Sequence, residues 1–116
     1  MTYLEVATAL MSVTIGTNQT IPCAYMQFPE DGTAPDPPFM VYYFDRSDDF
    51  IADNKNYAPI RHIIVELYTN TKDFTTESAV ESQLTSNGFV FSKTEDYIES
   101  ERLYMVTYNT EVTING

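Results

Sequence analysis

The sequence is poor in the residues that carry most site chemistry. It holds one cysteine, one histidine, four glycines and no tryptophan. A single Cys23 excludes an intrachain disulfide and any zinc site built on paired thiolates. It stands in an apolar strand pattern, which predicts a buried, inert thiol rather than a nucleophile. The glycines, at 16, 32, 88 and 116, stand where turns or the chain end account for them. None belongs to a phosphate-cradling loop or a nucleophile elbow. Basic residues are scarce: six Lys and Arg face seventeen Asp and Glu, a formal net charge of −11. Binding nucleic acid through its phosphates needs a positive face, and so does docking on an anionic membrane surface. Both are therefore excluded as expectations. No apolar run approaches the roughly 18 residues of a membrane span. The N-terminus lacks the basic-then-apolar pattern of a signal peptide, so the reading is cytoplasmic synthesis.

What is present is enough for one packed domain, residues 1–116. Nine Tyr and seven Phe make the chain aromatic-rich, a composition that packs strands and is over-used at interfaces. The opening "MTYLEVATALMSVTIGTN" predicts a helix, with Thr2 and Glu5 at capping-box spacing. Tyr3, Val6, Ala7, Leu10 and Met11 fall on one helical face. Gly16 is placed to stop this helix in a left-handed conformation, although β-branched Val13, Thr14 and Ile15 oppose a helical last turn. "IPCAYMQF" predicts a strand, and "PEDGTAPDPP" an irregular connector. "FMVYYFD" predicts a strand that is apolar on both faces. "IRHIIVELYT" predicts the central strand, with Ile63, Val65 and Leu67 on one face and His62, Ile64, Glu66 and Tyr68 on the other.

"NTKDFTTESAVESQLTSNGF" predicts a second helix, capped by Asp73, Thr75 or Thr76. Its apolar stripe is Ala79, Val80 and Leu84, with Glu77 and Glu81 outward. Asn87-Gly88 ends it, and Phe89 folds back on Leu84. "FVFSKTEDY" and "RLYMVTYNTEVTI" predict strands joined by a polar turn. In the last strand Tyr104, Val106, Tyr108, Val112 and Ile114 share one parity, interrupted by Thr110. The order helix, strand, strand, strand, helix, strand, strand implies an α+β domain: a mostly antiparallel sheet with two helices on one face. Two short helices cover one face only. The two-sided strands then require another cover for the second face, for which a further subunit is the natural candidate.

Between the second and third predicted strands lies "DRSDDFIADNKNY". Asp45, Ser47 and Asp49 have the alternating spacing of a calcium loop. The mid-loop glycine and closing glutamate are missing, since no Gly occurs from 33 to 87 and no Glu from 31 to 65. No metal or cofactor is expected. His62 shares a predicted face with Glu66, and Cys23 lies on another strand. Neither constellation has the local signature of a nucleophile and its base, and no enzymatic activity is expected. Phe50 and Ile51 are apolar residues set in a polar run, which makes them candidate anchors into a neighbour, or else residues folded back on their own sheet. The contact set read from this stretch is Asp48, Asp49, Phe50, Ile51, Asp53, Asn54 and Tyr57.

Three segments, "YYFDRSDDFIADNKNY", "ELYTNTKD" and "YIESERLYMVTY", carry a family resemblance that extends over about residues 39 to 112. The chain resembles the small tail-completion proteins of long-tailed phages and prophages of Gram-positive bacteria. Its element order is also similar to that of tail terminator proteins, whose α+β subunits form hexameric rings. The resemblance implies a structural protein that assembles in the host cytoplasm and resides at the head-proximal end of the virion tail. It would cap the tail tube and help join tail to head. Its partners would be further copies of itself in a hexamer, the tail tube protein and the head connector. A head-completion or connector adaptor is the neighbouring reading, and an acidic DNA mimic that inhibits a host enzyme is the reading from charge alone.

Overall fold

The computed structural model describes residues 1–30, 32, 34–45 and 60–114. The first helix, α1 (Tyr3–Leu10), starts in the predicted capping box. The Thr2 hydroxyl accepts from the Glu5 amide at 3.1 Å, and the Glu5 carboxylate accepts from the Thr2 amide at 2.8 Å. The helix ends earlier than the sequence suggests. Val13, Thr14 and Ile15 follow their extended preference, and β1 (Thr14–Ile15) pairs with β2 (Gln19–Thr20) in a small hairpin. Gly16, at φ +62°, serves the hairpin turn rather than a helix end. The shorter helix buries Val6, Ala9 and Leu10, leaving Tyr3 and Met11 exposed. Tyr3 lies edge-on to Phe44, with ring centroids 5.1 Å apart, and its hydroxyl accepts from Arg61 at 2.9 Å.

The main sheet contains β3 (Cys23–Tyr25), β4 (Phe39–Phe44), β5 (Ile60–Thr69), β6 (Phe91–Ile98) and β7 (Leu103–Thr113), in the order β3-β4-β5-β7-β6. Every neighbouring pair is antiparallel except β3–β4. A parallel pair needs a crossover rather than a tight turn, and the proline-rich connector between Tyr25 and Phe39 supplies it. The domain is therefore α+β with two helices, as its element order predicts.

Register sorts the strands into two faces. Met40 and Tyr42 of β4, Ile63, Val65 and Leu67 of β5, and Val106 and Tyr108 of β7 form a core with Val6, Leu10 and Val13 and with Val80, Leu84 and Phe89. Ile63, Val65 and Leu67 are fully buried. Side chains of this kind contribute about 1.5–3 kcal/mol each relative to exposure. Thr110, which interrupts the apolar parity of β7, also points inward, and its hydroxyl donates to the Val90 carbonyl at 2.7 Å. Its polarity is thereby satisfied at a buried position.

The second helix, α2 (Phe74–Ser86), is capped by Asp73, which accepts from the Thr76 amide at 3.0 Å and from its hydroxyl at 2.7 Å. It ends in a Schellman motif. The Phe89 amide donates to the Leu84 carbonyl at 2.9 Å, the Gly88 amide to that of Thr85 at 3.0 Å, and Gly88 has φ +83°. The expectation that Glu77 faces outward is corrected: Glu77 is 2% exposed. It is tolerated there because Lys72 and Lys93 both pair with its carboxylate. Glu81 is half-buried, accepting from the Tyr108 hydroxyl at 2.8 Å and pairing with Lys93 at 2.8 Å. Among the described residues no helix is long and apolar enough to cross a membrane.

Candidate interaction surface

Both helices pack on the face that carries Ile63, Val65 and Leu67. The alternate residues line the other face. Phe39, Val41 and Tyr43 of β4 lie beside Tyr68, Glu66 and Ile64 of β5. These in turn lie beside Met105, Thr107 and Asn109 of β7, and Asp96, Thr94 and Ser92 of β6 complete the rows. Val41 is buried; the other β4, β5 and β7 residues just named are half-buried, shielded by one another but within reach of a partner.

Glu66 occupies the middle of this face. The Tyr68 hydroxyl donates to its Oε1 at 2.9 Å and the Tyr43 hydroxyl to its Oε2 at 3.2 Å. Burial pushes the Tyr68 phenol up, and its hydrogen bond to Glu66 pushes it further. Tyr43 is raised by burial and by the Glu66 charge. Both phenols therefore keep their protons near neutral pH and fix the orientation of the carboxylate. The Tyr68 ring stacks on Phe39 at 5.1 Å, and Phe39 meets Phe28 of the connector edge-on at 5.6 Å. The result is a carboxylate framed by aromatic rings, able to receive a hydrogen-bond donor or a cation from a partner.

At one end of the face His62 Nδ1 lies 3.5 Å from Asp45 Oδ2, an ion pair when the imidazole is protonated. The Asp45 amide also donates to the His62 carbonyl at 2.8 Å. Glu111 is beside His62 across the β5–β7 pairing. Asp45, Glu66, Asp96 and Glu111 thus share a face on which no described strand residue is Lys or Arg. Arg61 and Lys93 belong by register to the helix face, and Lys72 and Arg102 stand in connections.

Cys23 sits opposite Met40 and packs against the core, on the helix side. Burial pushes its thiol up to about 12. His62 faces the other way, so the sheet separates thiol from imidazole and no Cys–His pair forms. His62 and Glu66 do share a face, as the alternation predicts. Among the described residues no group of three His, Cys, Asp or Glu is arranged to hold a metal ion.

The contact set read from the acidic insert, Asp48, Asp49, Phe50, Ile51, Asp53, Asn54 and Tyr57, lies outside the described residues. The insert leaves β4 after Asp45 and rejoins the sheet at Ile60, next to the His62 end of the open face. Sequence reading missed the cluster of Lys72, Glu77, Glu81, Lys93 and Glu95 between α2 and β6. Its available signal was the parity of β6, which puts Lys93 and Glu95 on the same side as the apolar Phe91. No protein-family model matches the chain, and no curated protein and no solved structure matches it.

Proposed function

We propose that the protein is a structural subunit of a virion, a tail terminator that caps the head-proximal end of a phage tail tube in a homo-oligomeric ring and helps join tail to head. The observation that carries this reading is the second face of the sheet. It is aromatic and acidic, it holds Glu66 in a fixed frame, and neither helix packs on it. A surface of this kind suits contact with protein. The resemblance over residues 39 to 112 supports the specific station. That range includes β4, β5, α2, β6 and nearly all of β7, the part of the sheet that builds this face. The acidity fits a ring through which DNA passes, because carboxylates on the lumen repel phosphates.

Deletion of the gene from its phage tests the reading. Over-long tails and unjoined heads are expected; normal virions would overturn it. Capture experiments with purified tail tube protein and with portal-ring proteins then fix the station. Binding to the portal ring without binding to the tube would move the protein to the head-completion side.

A further inference from the structure

The strand β6 forms one edge of the main sheet, with β7 on its inner side. Among the described residues no strand pairs with its outer row of backbone amides and carbonyls, which leaves that row to another strand. Natural edges are commonly blocked by charge, and β6 carries Lys93, Glu95 and Asp96. These charges are arranged in an unusual order. From Val90 to Ile98 the sequence reads V-F-S-K-T-E-D-Y-I. Laid antiparallel against a second copy and centred on Thr94, each residue meets a suitable partner. Val90 meets Ile98, Phe91 meets Tyr97, Ser92 meets Asp96, Lys93 meets Glu95, and Thr94 meets itself. Cross-strand pairs of these kinds, apolar with apolar, opposite charge, and Thr with Thr, each favour pairing.

We propose that β6 is a self-recognition edge, through which two copies of the chain join their sheets antiparallel about a two-fold axis at Thr94. The exposure pattern fits the proposed partner. Val90 is 87% exposed and Tyr97 is 49% exposed, an apolar surplus at the two ends of the edge. Pairing would give each an apolar neighbour from the other copy. Between α2 and β6 lies an open groove lined by Ser78, Ser82, Thr85, Ser86, Glu81 and Phe91. Its small, mostly uncharged walls leave space beside Phe91 for the ring of the partner's Tyr97. The charges join as well. Within one copy, Glu81, Lys93, Glu77, Lys72 and Glu95 form a continuous chain of ion pairs. Lys93 and Glu95 hold the strand positions in that chain, and pairing would link each to its opposite in the other copy. A slip of two residues, which keeps the same faces together, sets Lys93 against Lys93 or Glu95 against Glu95, and a slip of one turns the faces over, so the edge selects this pairing over those.

The contact is isologous and closes at two copies, whereas a ring requires a head-to-tail contact. The proposal is therefore independent of the tail reading, and either can fail without the other. One edge pairing buries less than a standard interface, so dissociation constants in the micromolar range or weaker, up to about 1 mM, are expected.

Light scattering over a concentration series should show a mass rising from 13.2 kDa toward twice that value. Thr94→Cys places two thiols at the axis and should cross-link copies through a disulfide or a short bis-maleimide. Thr107→Cys, on the same face one strand inward, should not. Glu95→Lys sets a lysine against Lys93 of the other copy and should weaken the dimer at least about tenfold, because like charges directly opposite repel. Glu95 is exposed, so this variant is expected to fold, with circular dichroism as the check. A protein that stays monomeric throughout the series overturns the proposal. So does a dimer that neither cross-links through Thr94→Cys nor weakens with Glu95→Lys, since its contact would lie elsewhere.

Discussion

Glu77 shows how a charged residue comes to stand inside a small domain. Burial raises its pKa, but hydrogen bonds from Lys72 and Lys93 outweigh that effect and hold the carboxyl below its ordinary range. A carboxyl with a depressed folded pKa adds stability that is fully present above its unfolded value of about 4.3 and is lost as pH falls through the folded value. Replacing Glu77 by Gln keeps the shape and removes the charge. At pH 7 this should cost about 1–3 kcal/mol in urea unfolding. The gap between variant and parent should narrow as pH falls below the unfolded value of about 4.3 and through the lowered folded value. A gap that stays constant down to pH 2–3 would show that the pairing with lysine is not its source. Cys23 gives a second test at this scale. With its thiol pushed up to about 12 by burial, it should react with a thiol reagent at pH 8 far more slowly than the same chain in denaturant.

At the level of elements, the two helix ends differ in how directly local chemistry decides them. The α2 end is written in Asn87-Gly88-Phe89, because a left-handed residue followed by an apolar one satisfies the last carbonyls and packs back. Gly88 at φ +83° meets nothing within 4 Å of the position a Cβ would take. Gly88→Ala should therefore cost about 1–2 kcal/mol from backbone conformation alone, read as a lower thermal midpoint with the fold retained. The α1 end was less legible. Gly16 does adopt a left-handed φ, but the β-branched run before it goes into a hairpin instead of a helical turn. Propensity and stop signal disagreed over the same few residues, and pairing with β2 decided between them. Alternation along β4, β5 and β7 was legible throughout, because a period of two maps residues onto faces without knowledge of the partners.

For the whole molecule, the two faces of the sheet should answer differently to substitution. Leu67→Ala opens a cavity in the helix-side core and should cost about 2–5 kcal/mol. Phe39→Ala and Tyr68→Ala on the open face should leave the fold largely intact while weakening binding to tail tube protein or to other copies, measured by capture and by native mass spectrometry. If both substitutions unfold the protein as readily as Leu67→Ala, the open face is structural and the assembly reading loses its support. The sequence by itself determined the α+β class, the element order, the inward set Ile63, Val65 and Leu67, the capping box at Thr2 and the turn-back at Phe89. Each of these follows from spacing along one element, and spacing is a local property. Only the tertiary structure decided that Glu77 is buried, that Tyr43 and Tyr68 converge on Glu66, that Cys23 and His62 are divided by the sheet, and that β3 runs parallel to β4. Those outcomes depend on which strands become neighbours and in what register, and distant parts of the chain settle both by packing together.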